Sequence, residues 1–232
     1  MKFIKPILNE GRRRRIMKLV SLQVALQLAV LTVVFPATGW AAGADTSAVS
    51  KRDLEAKIGY CQDCHGPSGR GYRGFYPMPR LAGQQPEYLE NQLRAFVERR
   101  RTNNIMANVA HVLSPAMITA LATNFRDLNP QPLGGAPKGL VATGEKIFEA
   151  GVPDANVAAC AACHGPDATG SNQIPRLAGQ LYPYLVTELA NWGKERGQNS
   201  AKPDTSAIMS PVAHSLTKPQ IEAVAAYVSY LK

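Results

Sequence analysis

Apolar residues along this chain fall into short runs with helical spacing. Leu54 and Ile58 lie four apart and share one helical face. A stretch from Pro86 to Arg99 follows, and Leu89, Leu93, Phe96 and Val97 form its predicted apolar stripe. Ser114-Pro115 reads as a helix start, a capping hydroxyl and then proline in the first turn. Ile118, Leu121, Phe125 and Leu128 make the face of the helix it opens. The same order then returns. Gly144 to Ala150 carries Ile147 and Phe148, and Tyr182 to Trp192 reads as a middle helix. Thr217-Lys218-Pro219 starts a last helix faced by Ile221, Val224, Val228 and Leu231. No stretch alternates in the manner of a strand, so an all-α fold is expected.

The repetition extends to residue identity. Pro79-Arg80-Leu81-Ala82-Gly83-Gln84 recurs as Pro175-Arg176-Leu177-Ala178-Gly179-Gln180, and Tyr88-Leu89 as Tyr184-Leu185. Ile105-Met106 recurs as Ile208-Met209, and Val109-Ala110-His111 as Val212-Ala213-His214. A period of about a hundred residues is too long for a solenoid and suits tandem domains. The expected division is 45–129 and 140–232. Between them, 130–139 lies in the Pro- and Gly-rich stretch Asn129 to Gly139, which breaks the last helix of the first unit.

Ahead of both units stands an address. Arg12 to Lys18 is a positive segment, Leu19 to Phe35 an apolar run, and Ala42-Gly43-Ala44 a small-residue end. Residues 1–44 thus read as a secretory signal peptide cleaved near Ala41 to Ala44, with Met17 an alternative start. The run also approaches the length of a spanning helix, so an uncleaved anchor is the alternative. Either way the body of the protein is expected outside the cytoplasmic membrane, in the periplasm.

The chemistry sits at Cys61-Gln62-Asp63-Cys64-His65 and again, 99 residues on, at Cys160-Ala161-Ala162-Cys163-His164. C-x-x-C-H is the attachment pattern of c-type haem: two thiols add to the vinyl groups, and the histidine is placed under the iron. All 4 cysteines are used in these motifs. A thioredoxin-like redox pair would need a βαβ context that the pattern lacks. Zinc is poorly served by a histidine directly after the second cysteine. Two covalent haem c groups are therefore expected, on Cys61, Cys64, Cys160 and Cys163, with His65 and His164 as iron ligands. So few apolar residues remain in each unit that haem must complete the core, and the apo-protein is expected to be largely unfolded.

The second iron ligand decides between an open site that binds small gases and a closed one that passes electrons. Met106 and Met209 are the methionines that recur in register, 45 and 49 residues after the first cysteine of their motifs. Met78 and Met117 align with Ile174 and Gln220 and read as packing residues. His111 and His214, five residues after each methionine in what reads as a loop, are the rival ligands. Arg80 and Arg176 are candidates to pair with haem propionates. The carbonyls of Pro79 and Pro175 are candidates to accept from the ligating histidines and fix their tautomer.

The formal net charge of +9 misleads, because the leader alone carries +6, residues 45–134 carry +3 and residues 135–232 are neutral. With haem propionates added, charge gives no support to nucleic-acid binding. Glu98-Arg99-Arg100-Arg101 reads as a solvated face.

With these motifs in place, residues 50–232 resemble the dihaem cytochrome c4 family of class I c-type cytochromes. The resemblance rests on both C-x-x-C-H-G-P motifs, both Pro-Arg-Leu-Ala-Gly-Gln segments, the two downstream methionines and the Leu-Ser-Pro and Leu-Thr-Lys-Pro helix starts. It implies two cytochrome c folds about a pseudo-twofold axis and an electron carrier, not an enzyme, that is periplasmic and either soluble or peripherally membrane-associated. The implied partners are a terminal haem–copper oxidase and an upstream cytochrome complex or dehydrogenase. Alternatives are a dihaem subunit of a periplasmic dehydrogenase, such as a sulfide-oxidising flavocytochrome, or a dihaem peroxidase or thiosulfate dehydrogenase. The segment Gly71 to Pro77 is extra in the first unit, over a haem edge or a partner surface.

Overall fold

The computed structural model describes residues 48–197 and 205–232; the expected leader lies outside the described residues. Asp45–Lys232 form one compact unit. Its helices are α1 (Lys51–His65), α2 (Pro86–Val97), α3 (Asn104–His111), α4 (Pro115–Arg126), α5 (Val141–Ala150), α6 (Ala161–His164), α7 (Tyr182–Ala190), α8 (Trp192–Glu195), α9 (Ser206–Ser215) and α10 (Lys218–Tyr230). Among the described residues there is no strand, only isolated bridges. No single described helix is long and apolar enough to cross a membrane.

Local signals set the helix ends. Ser50, Asn103 and Ser114 each accept the amide three residues on, at 3.1, 3.0 and 3.2 Å. Gln220 Oε1 reaches back to the Thr217 amide at 2.8 Å, so Thr217 opens α10 as its sequence indicates. In the first half α4 packs on α1 and α2. Its core is Met117, Leu121 and Phe125, with Leu54, Ile58, Cys61 and Leu89 against them. In the second half α10 packs on α5 and α7. There Ile147, Phe148, Leu185, Val224 and Val228 lie in a larger buried cluster. The crossing of α5 and α10 depends on Gly144, where a Cβ would stand 2.0 Å from the Ala223 carbonyl oxygen.

Three expectations are corrected. The middle helix of the second half ends at Ala190, and Trp192–Glu195 is a separate turn. Val97 is 42% exposed rather than part of the α2 stripe, while Gln92 and Ala95 of that helix are buried. Arg100 and Arg101 are buried rather than solvated. The last two share a cause: α2 turns Gln92 inward, where it accepts from Arg101 of the same half and from Arg196 across the junction between the halves. The linker is held from both sides. Arg80 Nη1 donates to the Pro130 carbonyl at 2.8 Å, Arg73 Nη1 to that of Gly134 at 2.9 Å, and the Tyr230 hydroxyl to that of Ala136 at 2.7 Å.

Candidate functional site

Each C-x-x-C-H motif ends a helix, α1 in the first half and α6 in the second. Three residues along a helix bring both cysteines to one side. Cys61 packs against the Met117 cluster and Cys160 against the Phe148 cluster, while Cys64 and Cys163 are exposed. No disulfide ties them. Burial raises the Cys61 thiol pKa and takes that of Cys160 to about 11. Gly66 (φ 76°) then turns the chain so that the Gly71 amide reaches the His65 carbonyl at 2.7 Å. A side chain at Gly66 would strike the Gly71 carbonyl oxygen, at 2.5 Å from its Cβ. In the second half the Gly170 amide donates to the His164 carbonyl at 2.8 Å.

His65 and His164 are both buried. His65 Nδ1 donates to the Pro79 carbonyl at 2.8 Å, and His164 Nδ1 to that of Pro175 at 2.9 Å. A carbonyl can only accept, so Nδ1 carries the proton and Nε2 is left as the electron-pair donor. Burial depresses both histidine pKa values against the opposing pull of these carbonyls, and the charge of Arg101 depresses His65 further. Both rings are thus held in the neutral form that binds metal.

Met106 and Met209 are half-buried on the short helices α3 and α9. His111 and His214 lie on those same helices, not in a loop, and both are exposed. Five residues of helix separate methionine from histidine by about 140° around the axis, so the pair cannot present to one group. His214 Nδ1 donates to the Ser210 carbonyl at 2.7 Å. Met117 is a core residue, and Met78 pairs its main chain with Tyr72.

Arg80 is buried with three nitrogens engaged: Nε on the Ala82 carbonyl, Nη1 on Pro130 and Nη2 on Asn129. Burial, with the Arg176 charge nearby, lowers its pKa to about 10. Its guanidinium therefore closes the linker. Arg176 is half-buried and directs Nε to the Ala178 carbonyl at 3.1 Å.

A second buried cluster, not assigned from the sequence, joins the halves. Gln92 Oε1 accepts from Nη1 of both Arg101 and Arg196, at 2.9 and 2.8 Å. Glu188 accepts from Nη2 of the same two arginines, at 2.7 and 2.6 Å. Arg101 Nη2 also reaches the Tyr184 hydroxyl at 2.9 Å. The arginines stack on matched rings, Arg101 on Phe96 at 4.8 Å and Arg196 on Trp192 at 4.3 Å. Burial would lift the Glu188 pKa, but the two guanidinium charges outweigh it and hold the carboxylate below its usual range. Burial and the Glu188 charge together raise Glu195. A signal was present: Gln92 and Glu188 stand 96 residues apart, the same offset as the repeated Pro-Arg-Leu.

The residues fit covalent haem. Paired unbridged thiols precede a neutral histidine with its Nε2 available, and the arrangement occurs twice. An all-α fold in two pseudo-symmetric halves, each with this constellation, defines a dihaem c-type cytochrome.

The comparisons agree. The cytochrome c family profile matches residues 141–232. Cytochrome c-552 of Acidithiobacillus ferridurans is 36% identical over 86% of this chain and 86% of its own. The thiosulfate dehydrogenase electron acceptor of Thiomonas intermedia is 33% identical over 90% of this chain and 92% of its own. The solved cytochrome c4 of Acidithiobacillus ferrooxidans is similar at 36% identity and a TM-score of 0.62, over 74% of this chain and 98% of that one. The chain belongs to the cytochrome c4 family: it is a dihaem electron carrier with two covalently attached haem c groups.

Proposed function

We propose that the chain passes single electrons in the periplasm from a sulfur-compound dehydrogenase to a terminal haem–copper oxidase, and transforms no substrate itself. Residues 45–129 and 140–232 are its two haem domains, joined by 130–139. The iron ligands are His65 with Met106 and His164 with Met209. The observation that carries this reading is the duplicated histidine, buried and neutral, with Nδ1 bound to a proline carbonyl and Nε2 left to donate. The haem supplies one-electron exchange. The chain supplies closure and tuning, since a thioether opposite an imidazole favours the ferrous state. Met106 and Met209 support this by matching position and burial on matching helices. Arg176, whose guanidinium is less committed than that of Arg80, is the better placed to pair with a propionate.

The likeness to a thiosulfate dehydrogenase electron acceptor favours such a dehydrogenase as donor. A docking face is available beside the first motif. Residues 66–85 expose Arg70 and Arg73 and contain no acidic residue, whereas 165–181 hold one acid and one arginine. Phe75, 92% exposed, packs edge-on against Tyr76 at 4.9 Å, and paired main-chain bonds between Tyr72 and Met78 hold the segment. An aromatic platform in a basic surround suits an acidic partner surface.

The test mixes oxidised protein with thiosulfate, with and without thiosulfate dehydrogenase. Reduction of both haems only with the dehydrogenase, followed by reoxidation by oxidase-containing membranes, is expected. Catalytic tetrathionate formation from thiosulfate by the protein alone would replace the carrier reading with an enzymatic one.

A further inference from the structure

Each histidine site is linked to the opposite half through one peptide group. The Pro79 carbonyl that accepts from His65 belongs to the same planar amide as the Arg80 N–H. That N–H donates to Gln180 Oε1 at 2.8 Å, and Gln180 Nε2 returns a bond to the Arg80 carbonyl at 3.0 Å. Gln180 belongs to the second half and His65 to the first. The mirror arrangement is also present. The Pro175 carbonyl accepts from His164, the Arg176 N–H donates to Gln84 Oε1 at 2.7 Å, and Gln84 Nε2 donates to the Arg176 carbonyl at 3.0 Å.

Neither amide is free to flip. Gln180 Oε1 also accepts from the Leu181 amide at 3.0 Å, and Gln84 Oε1 from the Gln85 amide at 3.0 Å. Each oxygen therefore faces two N–H groups, where an NH2 would be repelled. Both glutamines are buried, so the chains are dry. In such surroundings consecutive hydrogen bonds polarise one another. Withdrawing the Arg80 N–H toward Gln180 makes the Pro79 oxygen a stronger acceptor and the His65 ring a stronger electron donor.

We propose that Gln84 and Gln180 are positioning residues acting in trans, each setting the proximal hydrogen bond, and so the potential, of the haem in the opposite half. A stronger donor histidine favours ferric iron, so loss of the amide raises the potential of the haem across the junction. The proposal rests on His65 and His164 as iron ligands. That reading is checked separately by His65→Ala and His164→Ala, each of which abolishes the low-spin spectrum of its own haem if the ligation is right.

The test determines both potentials by spectroelectrochemistry in the dihaem protein, with Gln180→Leu and Gln84→Leu as the mirrored pair. Gln180→Leu is expected to raise the Cys61/Cys64 haem more than the Cys160/Cys163 haem, and Gln84→Leu to do the reverse. Solvent exchange of the His65 Nδ1 proton, followed by NMR, is expected to quicken in Gln180→Leu only. If a leucine variant does not accumulate with two haems, Gln180→Glu and Gln84→Glu serve. Their carboxylates still accept from the arginine N–H more strongly, and are expected to lower the opposite haem more than the resident one. Equal shifts of both haems, or a larger shift of the resident haem, with ligation intact, overturns the proposal.

Discussion

In the second half Phe148 and Val228 belong to a buried cluster of nine residues, whereas the first half musters Met117, Leu121 and Phe125. The second half also brings α5 against α10 through Gly144. In the first half α1 runs unbroken into the haem motif, and its Gly59 meets nothing within 4 Å. The same motif thus stands on unequal scaffolds. The second half has the larger buried cluster, so the first is expected to depend more on its cofactor.

Removing one haem should expose this difference most. Cys61→Ala with Cys64→Ala is expected to melt most helix of the first half, while Cys160→Ala with Cys163→Ala leaves more helix in place. Circular dichroism of haem-counted protein compares them, and equal losses would erase the distinction.

The junction cluster comes next. Glu188→Gln removes the carboxylate that both buried guanidinium groups share and is expected to cost about 3–5 kcal/mol in denaturant unfolding. Adding Gln92→Glu to it should restore most of the loss, because both arginines touch both positions. The pH dependence has a definite sign. The Glu188 pKa is depressed on folding, so its contribution is present above the ordinary carboxylate range and is lost as pH falls through the folded value. Glu188→Gln should flatten that acid limb.

Smaller effects separate the two glycines. Gly144→Ala forces α5 off α10 and is expected to cost about 1–3 kcal/mol. Gly59→Ala, in open space on a helix, is expected to be neutral or to stabilise by about 0.5–1 kcal/mol. The smallest effect is on docking. Arg73→Glu with Phe75→Ala should slow electron exchange with an acidic partner and weaken its salt dependence, leaving both haem spectra unchanged.

Much of this was legible in the sequence because caps, helical periodicity and the haem motif are local. Ser114, Thr217, Leu121 and Val224 act where their neighbours say they should. The junction was not legible. Arg101 read as solvated because the partners that reverse that reading, Tyr184 and Glu188, lie far along the chain. Glu188 is 87 residues from Arg101, and Gln180 is 100 from Arg80. The repeated hexapeptide named Gln84 and Gln180 without a role, since reciprocal pairing shows only when the two copies are brought together. His214 looked like a loop residue because α9 continues through Pro211.

The proposed function requires that both irons be closed by histidine and methionine. The most direct measurement is the visible spectrum of the reduced, haem-quantified protein before and after carbon monoxide. Two haems per chain and no spectral change are expected, with Met106→Ala and Met209→Ala each opening one site to the gas. Rapid carbon monoxide binding by a haem of the unaltered protein would contradict the account and direct attention to peroxide and thiosulfate chemistry.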